Sequence, residues 1–453
     1  MRLFSYKNRP VHMGPYPTEK LGRSQNIPDF SALASLQQLQ MVPNQDPYSI
    51  GCAISDYLCM LDAIREGPKT PITAEIPTNL QERANHLKAA GYFLDSSLMG
   101  TCELMTEDHL SDPFRHPQLK GLLEKIDDGN KFHLRLNTSQ IRQRIATSIA
   151  TDSCLIHHHS HALVIAVEYP RDPRPDEPGA TWILGMQAQR AALRAAETAT
   201  VISQYLRLLG FEARAHSATS TDVDLNRLAV RAGIAQLDEN RRLTNPFIGN
   251  RFGLAAITTT MTFQPDHPLA PQSLRDRLRS MGPSWWLGYG TVKSMFNAEE
   301  FGRRDFKDSR YPTEKDKHRD QPTTLVDKAR IPRVPKRSNF FVRASFGDLG
   351  NTPQEASTDG NFVTKYALGA ACNSVLQTFT LLQRLPANSK VFQGYHNPVN
   401  NAEIIKATLH YLGADQVGIS EAPDWGWYSH DEDGSQLKPA HKYAITTLID
   451  QGH

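Results

Sequence analysis

The stretch ANHLKAAGYFLDSSLMG (residues 84–100) is echoed 318 positions later, 402 minus 84, by AEIIKATLHYLGADQVG (residues 402–418). At this spacing the two stretches share identical residues, which are Ala84, Lys88, Ala89, Leu94 and Gly100 in the first and Ala402, Lys406, Ala407, Leu412 and Gly418 in the second. The same spacing relates residues 48–53 to 366–371, and the pentapeptide YPTEK at 16–20 returns at 311–315. A register kept over about fifty positions indicates an ancestral duplication of one large unit. We therefore predict two copies, of which one can retain the chemistry while the other takes a supporting role.

The composition is typical of a globular protein with two or three domains. The 453 residues are 39% hydrophobic and 22% charged, and the net charge of +2 gives no indication of nucleic-acid binding. Residues 1–7 lack an apolar signal core, and no apolar run approaches the roughly 18 residues of a membrane span. These features predict a cytoplasmic protein that contacts no membrane.

The cysteines are few, odd in number and scattered, and none has C-x-x-C spacing; they are Cys52, Cys59, Cys102, Cys154 and Cys372. This usage predicts reduced, structural thiols. It also predicts that the chain itself carries no iron–sulfur cluster of the ferredoxin type.

Hydrophobic periodicity predicts an α+β fold. The first copy contains predicted helices at 48–66, 79–90, 186–209 and 225–237, and predicted strands at 97–102, 162–167, 211–216 and 253–263. The second copy repeats only part of this order, with predicted helices at 365–385 and 397–412 and predicted strands at 416–420 and 443–449. The predicted organisation is a first unit over 1–300, a linker or arm over 301–340, and a second unit over 341–453. Because the second copy lacks the long helix and the strands that would cover its sheet, we expect a truncated piece of a longer protein.

Two blocks resemble a known family. Residues 402–434 (AEIIKATLHYLGADQVGISEAPDWGWYSHDEDG) resemble the beginning of the cobalamin-binding module of reductive dehalogenases and epoxyqueuosine reductases. Residues 228–263 resemble the segment of that family which follows a glycine-rich turn and closes on T-D-L-P-L. The fit is best to the cytoplasmic, catabolic reductive dehalogenases. The resemblance implies nitroreductase-like units, a cofactor-free first copy, a cobalamin-binding second copy, and 4Fe–4S clusters in sequence beyond His453.

The first copy departs from the family pattern at both places where the pattern is most specific. Residues 234–240 (IAQLDEN) replace the glycine-containing turn, and residues 259–263 (TTMTF) replace T-D-L-P-L. Since glycine permits close backbone approach to a large cofactor, these replacements predict an empty scaffold.

The predicted catalytic residue is Tyr428. Reductive dehalogenation must deliver a proton to carbon, and a phenol with an ordinary pKa of about 10 is a suitable donor when it is held close to the substrate. The resemblance implies this role for a tyrosine soon after the strand at 416–420. Trp425 and Trp427 are candidate substrate-binding residues, with ordinary packing as the alternative for each. His430 is a candidate to orient Tyr428, with a loop cap as the alternative. The cofactor-binding residues stay unassigned.

A possible zinc site is indicated by the histidine run His157-His158-His159-Ser160-His161. Cys154 lies just before this run. Alternation along a strand would put His157, His159 and His161 on one face. No second ligand set at closed-site spacing accompanies the run. We therefore interpret it as a solvated strand end and predict no metal site.

The sequence predicts a reductive dehalogenase that replaces halogen by hydrogen on a halogenated aromatic, with cobalamin as cofactor. No G-x-G-x-x-G or G-x-x-x-x-G-K loop is present, so electrons are expected from a donor protein or a reductase domain. The chain alone is expected to be inactive. An epoxyqueuosine-reductase-like enzyme and a non-catalytic interaction module are the alternatives.

Overall fold

The computed structural model describes residues 10–40, 49–125, 138–151, 156–169, 171–271, 307–308, 324–358, 365–379 and 397–449. The helices are α1 (Ile50–Ala63), α2 (Leu80–Phe93), α3 (Leu119–Lys125), α4 (Thr138–Thr151), α5 (Ala180–Ile183), α6 (Gln187–Leu208), α7 (Leu225–Arg231), α8 (Phe340–Ser345), α9 (Asn351–Thr358), α10 (Ala367–Phe379) and α11 (Pro398–Leu412). The strands are β1 (Leu98–Glu103), β2 (His109–Phe114), β3 (His161–Glu168), β4 (Ala213–His216), β5 (Thr221–Val223), β6 (Gln236–Leu237), β7 (Leu243–Thr244), β8 (Phe252–Thr259), β9 (Gln416–Glu421) and β10 (Tyr443–Leu448). This mixture of helices and small sheets is consistent with the predicted α+β class.

Packing divides the chain into two units. Unit 1 comprises Met1–Asp172, Leu184–Arg303 and Ala367–Val391, and unit 2 comprises Pro173–Ile183, Arg304–Tyr366 and Phe392–His453. Among the described helices, none combines the length and apolarity needed to cross a membrane.

Unit 1 is built around a four-stranded antiparallel sheet with the order β1-β3-β8-β4. The apolar run of β3 is buried from Ala162 to Val167 because both faces of the sheet are covered. Helix α6 packs across one face, against β8, β4 and β3. Leu98, Val164 and Leu228 belong to a hydrophobic cluster that involves α7 on the other side. Each fully buried aliphatic side chain of this kind stabilises the fold by roughly 1.5–3 kcal/mol.

Helix α7 is shorter than the helix predicted over 225–237, and this part of the prediction is wrong. The helix begins at its N-cap Asp224, whose carboxylate accepts from the backbone N–H of Asn226 and Arg227, and it ends at Arg231. Gly233 adopts φ +61°, a left-handed conformation that terminates the helix. The backbone N–H of Ile234 then turns back to the carbonyl of Ala229, and the chain continues into β6.

Helix α10 packs in unit 1, although its sequence lies in the range predicted for the second unit. The rings of Tyr57 on α1 and Phe379 on α10 stack with centroids 5.0 Å apart. The guanidinium of Arg144 donates to the hydroxyl and the carbonyl of Ser374. These contacts place α10 in unit 1 by packing. Packing alone does not show which copy a segment belongs to, so the boundaries 1–300, 301–340 and 341–453 stay predictions.

Unit 2 contains a helix and a strand at the spacing of the sequence repeat. Adding 318 to the bounds of β1 gives 416–421, which are the bounds of β9, and adding it to α2 gives 398–411, against 398–412 for α11. β1 pairs antiparallel with β3, and β9 pairs antiparallel with β10. The sheet of unit 2 is two-stranded, however, and Ile445 and Leu448 of β10 are 50% and 58% exposed.

The repeat supplies a matched pair of glycines for a stability test. A Cβ at Gly100 would lie closer than 3.0 Å to the carbonyl oxygen of Ala232, whereas a Cβ at Gly418 would meet nothing within 4 Å. We expect Gly100→Ala to cost about 1–3 kcal/mol because backbone must shift, and Gly418→Ala to change stability by less than about 0.5 kcal/mol. Hydrogen–deuterium exchange of peptides from β1 and β9 measures both effects. Equal protection changes in the two strands would contradict the asymmetry.

Candidate active site around Tyr428

Tyr428 lies in the loop that follows β9. The loop begins with a 3-10 turn, Asp424–Gly426, in which the backbone N–H of Gly426 donates to the carbonyl of Pro423. The backbone N–H of Ser429 then donates to the carbonyl of Val334 at 2.8 Å, and that of Lys336 donates to the carbonyl of His430 at 2.9 Å. The loop is therefore attached to an extended segment near residue 335 by backbone hydrogen bonds on both sides of Tyr428.

Arg333 fixes the backbone at Tyr428. Its Nη2 donates to the carbonyl of Tyr428 at 2.6 Å and to the carbonyl of Leu437 at 2.7 Å, and its Nε donates to the carbonyl of Trp427 at 3.3 Å. Charged hydrogen bonds are roughly twice as strong as neutral ones, and the planar guanidinium holds its partners in a fixed geometry. The Arg333 side chain therefore connects residues 427–428 to residue 437 of the same loop.

Asn339 holds the phenol of Tyr428. Its Nδ2 donates to the Tyr428 hydroxyl oxygen at 3.2 Å, while its Oδ1 accepts from the backbone N–H of Phe341 at 3.0 Å. The second bond is the N-cap of α8, and it sets which end of the amide faces the phenol. Tyr428 therefore accepts a hydrogen bond and keeps its own O–H to donate. The side chain is 37% exposed.

The candidate substrate-binding residues flank Tyr428 in the same loop. Trp427 is half-buried, and its ring stacks on His441 with centroids 6.0 Å apart. Trp425 is 37% exposed. His430 forms a hydrogen bond through Nδ1 with the hydroxyl of Ser429 and not with the phenol. The residue that orients the Tyr428 hydroxyl is therefore Asn339 and not His430.

An ion pair supports the far end of the loop. Lys336 Nζ lies 3.2 Å from Asp431 and 3.3 Å from Glu432. The backbone N–H of Glu432 and the ammonium of Lys336 lower the pKa of Asp431 below its ordinary value. The carboxylate therefore stays ionised at neutral pH and anchors the loop to the 3-10 turn Lys336–Ser338.

The histidine run does not form the strand face predicted for it. The ring of His157 packs against His109 at 4.9 Å, and the ring of His161 packs edge-on against Phe263 at 5.0 Å. His159 is 5% exposed and forms a hydrogen bond with Thr258, so the prediction of a solvated strand end is wrong for this residue. The reason is that β3 begins only at His161, after a turn. Cys154 lies outside the described residues.

Comparison with known proteins shows which solved structures this chain is similar to. No family model and no curated protein matches the chain. The structure matches that of the catabolic reductive dehalogenase NpRdhA with a TM-score of 0.81 and 33% identity, over 100% of this chain and 58% of that one. This chain is a relative of the catabolic reductive dehalogenases. It spans just over half the length of the relative that it matches.

Two further structures add chemical context for these reductive dehalogenases. One is NpRdhA in complex with 3-bromo-4-hydroxybenzoic acid, which matches with a TM-score of 0.80, 33% identity and coverage of 100% of this chain and 58% of that one. Another, with the same scores, is a reductive dehalogenase whose structure suggests a mechanism for B12-dependent dehalogenation.

Within the two divergent segments, 234–240 and 259–263, several side chains are buried in unit 1. Ile234 and Ala235 are buried in the hydrophobic cluster of unit 1, and Phe263 is fully buried. A cavity bordered by Leu36, Ala192 and Phe252 has a volume of about 230 Å³, below the roughly 300–1,000 Å³ that drug-sized ligands require. A corrinoid does not fit this cavity.

Proposed function

We infer that a protein carrying this chain is a cobalamin-dependent reductive dehalogenase that replaces halogen by hydrogen on a halogenated aromatic. The observation that carries the proposal is the match over the whole chain to NpRdhA, a relative that is known in complex with a brominated hydroxybenzoate. The loop geometry supports it, since the proposed reaction requires a proton donor that is held in place and Tyr428 is held by Asn339 and Arg333.

The reaction replaces an aryl carbon–halogen bond by a carbon–hydrogen bond, with two electrons and one proton consumed and a halide ion released. Bound cobalamin would supply the two-electron chemistry at the halogen. Tyr428 would donate the proton from its hydroxyl to the ring carbon and regain one from solvent. The hydrogen bond from Asn339 would stabilise the phenolate oxygen while it lacks its proton. Trp425 and Trp427 would lie beside the aromatic ring.

Residues 1–300 would serve as a cofactor-free, nitroreductase-like scaffold, and residues 341–453 would form the beginning of the catalytic unit. The equal spacing of α2–β1 and α11–β9 supports a duplication of this kind. The burial of Ile234, Ala235 and Phe263 supports an empty first copy. Iron–sulfur clusters and an electron-donor protein or domain would complete the enzyme.

A buried thiol is consistent with the proposed cytoplasmic location. Cys102 is a buried free cysteine, and burial, with the charge of Asp108, raises the pKa of its thiol. Such a thiol is an unreactive structural group of the type that a reducing compartment maintains.

Anaerobic reconstitution of the full-length protein with cobalamin tests the proposal. We expect a bound corrinoid in the visible spectrum and release of bromide from 3-bromo-4-hydroxybenzoate when a low-potential reductant is added. Failure to bind cobalamin would contradict the proposal and favour a non-catalytic interaction module. Cobalamin binding with turnover of an epoxyqueuosine-containing RNA, but of no aryl halide, would contradict the proposed substrate class.

A further inference from the structure

Two histidines and a glutamate from separate segments of unit 1 converge beside the sheet. His158 and His159 lie in the turn before β3, and Glu212 lies just before β4. Each residue offers one possible ligand atom, an imidazole nitrogen or a carboxylate oxygen, and these three atoms all lie within 4.8 Å of one another. This group differs from the His157, His159 and His161 face that strand alternation predicts.

Backbone hydrogen bonds hold the two segments in place. The N–H of Ser160 donates to the carbonyl of Thr259 at 3.1 Å. The carbonyl of Glu212 accepts from the N–H of Thr260 at 3.1 Å and from the hydroxyl of Thr259 at 2.6 Å. The end of β8 thus connects the two segments that carry the three side chains.

His159 has the environment of a metal-binding imidazole. It is 5% exposed, and its Nδ1 forms a hydrogen bond of 2.8 Å with the hydroxyl of Thr258, which also bonds Nε2 of His216 at 2.9 Å. In the tautomer in which Nδ1 donates to this hydroxyl, the bond fixes the orientation of the ring and Nε2 keeps the lone pair that a metal requires. Burial, together with the nearby His158, lowers the pKa of His159 to about 3, so the ring is neutral at pH 7.

Glu212 completes the group with an ionised carboxylate. One of its oxygens pairs with Nε2 of His158, and the other lies 3.1 Å from Nζ of Lys69. The hydrogen bond from Lys69 lowers the pKa of Glu212 below its ordinary value. The charge therefore suits a cation, while the neighbouring histidines provide the nitrogen ligands that zinc prefers.

Two positively charged side chains near the group, Lys69 and Arg214, repel a metal ion. The repulsion is weak where water or a nearby carboxylate screens the charge. Lys69 and Glu212 are 44% and 43% exposed, so water screens their pair and the long lysine side chain can turn away at small cost. Arg214 also acts on His159, but its guanidinium pairs with Glu66 at 2.6 Å and approaches Asp222 at 3.4 Å. Those carboxylates offset much of its charge.

We propose that His158, His159 and Glu212 bind a divalent transition-metal ion of the Zn²⁺ type, with water in the remaining position. The ion would join the turn before β3 to the segment before β4 and would stabilise unit 1. The site takes no part in the proposed dehalogenation. The metal-site proposal therefore does not depend on the proposed function.

Calorimetric titration of the chain with Zn²⁺ tests the site. His158→Ala and Glu212→Gln change partly exposed side chains, so the fold should persist, and each should weaken zinc binding by at least about 10-fold. Lys69→Ala should strengthen binding several-fold, because it removes the competing ammonium. His157→Ala and His161→Ala are matched controls from the same run and should change the affinity by less than about 2-fold.

Three results would overturn the proposal. Absence of zinc binding to the unmodified chain at 100-fold excess would refute the site directly. Equal losses in all the histidine variants would show that an unstructured histidine run binds the metal. Retention of full affinity in Glu212→Gln would show that the carboxylate is not a ligand. A thermal unfolding scan of each variant confirms that the compared proteins are folded.

Discussion

Replacing Tyr428 by phenylalanine in the full-length protein is expected to lower turnover by about 10²–10⁴-fold, the usual contribution of a general acid, while cobalamin content stays unchanged. The substitution removes only the hydroxyl group, so the ring keeps its volume in the loop. Arg333 binds the backbone carbonyl of residue 428, and this contact does not depend on the side chain. Asn339 loses one hydrogen bond but still caps α8 through its Oδ1. The loss should therefore be chemical and not structural.

Halide release under steady-state conditions measures the turnover, and the visible spectrum of the reconstituted protein measures the bound corrinoid. Tyr443→Phe is the matched control, because Tyr443 is a 57% exposed tyrosine of the same unit, on β10. It should retain turnover within about 2-fold. If Tyr428→Phe behaved like this control, the proton would come from another group and Tyr428 would have no part in the mechanism.

The sequence predicts the position of Tyr428 but not the residues that hold it. The resemblance of residues 402–434 to a known module draws attention to the loop, and strand β9 is found within one residue by its apolar pattern. Arg333 and Asn339, however, reach Tyr428 from 95 and 89 residues away in the chain. Their segment is rich in proline and mixed charge, which is typical of a solvated connector, and no local pattern reports a contact over such a separation.

Local patterns also explain where the secondary-structure predictions succeed and fail. Helix α6 and strand β3 are predicted within one residue at each end because long, strongly periodic segments leave little ambiguity. Helix α7 is predicted too long because apolar periodicity continues through Gly233, where the backbone turns left-handed. The histidine run is misread because strand alternation is assumed before the strand begins at His161.

A buried cluster of arginines around Asp222 in unit 1 has a large expected effect on stability. Arg65 donates to Oδ2 of Asp222 at 2.8 Å, Arg115 donates to Oδ1 at 2.7 Å, and Arg214 approaches Oδ2 at 3.4 Å. The side chains of Arg65 and Arg214 are only 1% and 2% exposed. Burial opposes ionisation of Asp222, but the charges of Arg65, His216, Arg115 and Arg214 outweigh it and hold the pKa of this carboxyl well below its ordinary value.

Asp222→Asn is expected to lower the free energy of unfolding at pH 7 by about 3–5 kcal/mol, because it leaves buried guanidiniums without their shared counter-charge. Urea denaturation at several pH values measures the loss. Since the folded pKa of Asp222 is depressed, its stabilisation is complete above the ordinary value of 3.8 and is lost as the pH falls through the folded pKa. The difference in the free energy of unfolding between wild type and variant should therefore shrink below about pH 4.

Asp172→Asn, which breaks an exposed pair with Arg251 in the same unit, should cost less than about 1 kcal/mol. Similar losses in both variants would mean that the buried cluster is no more important than a surface ion pair.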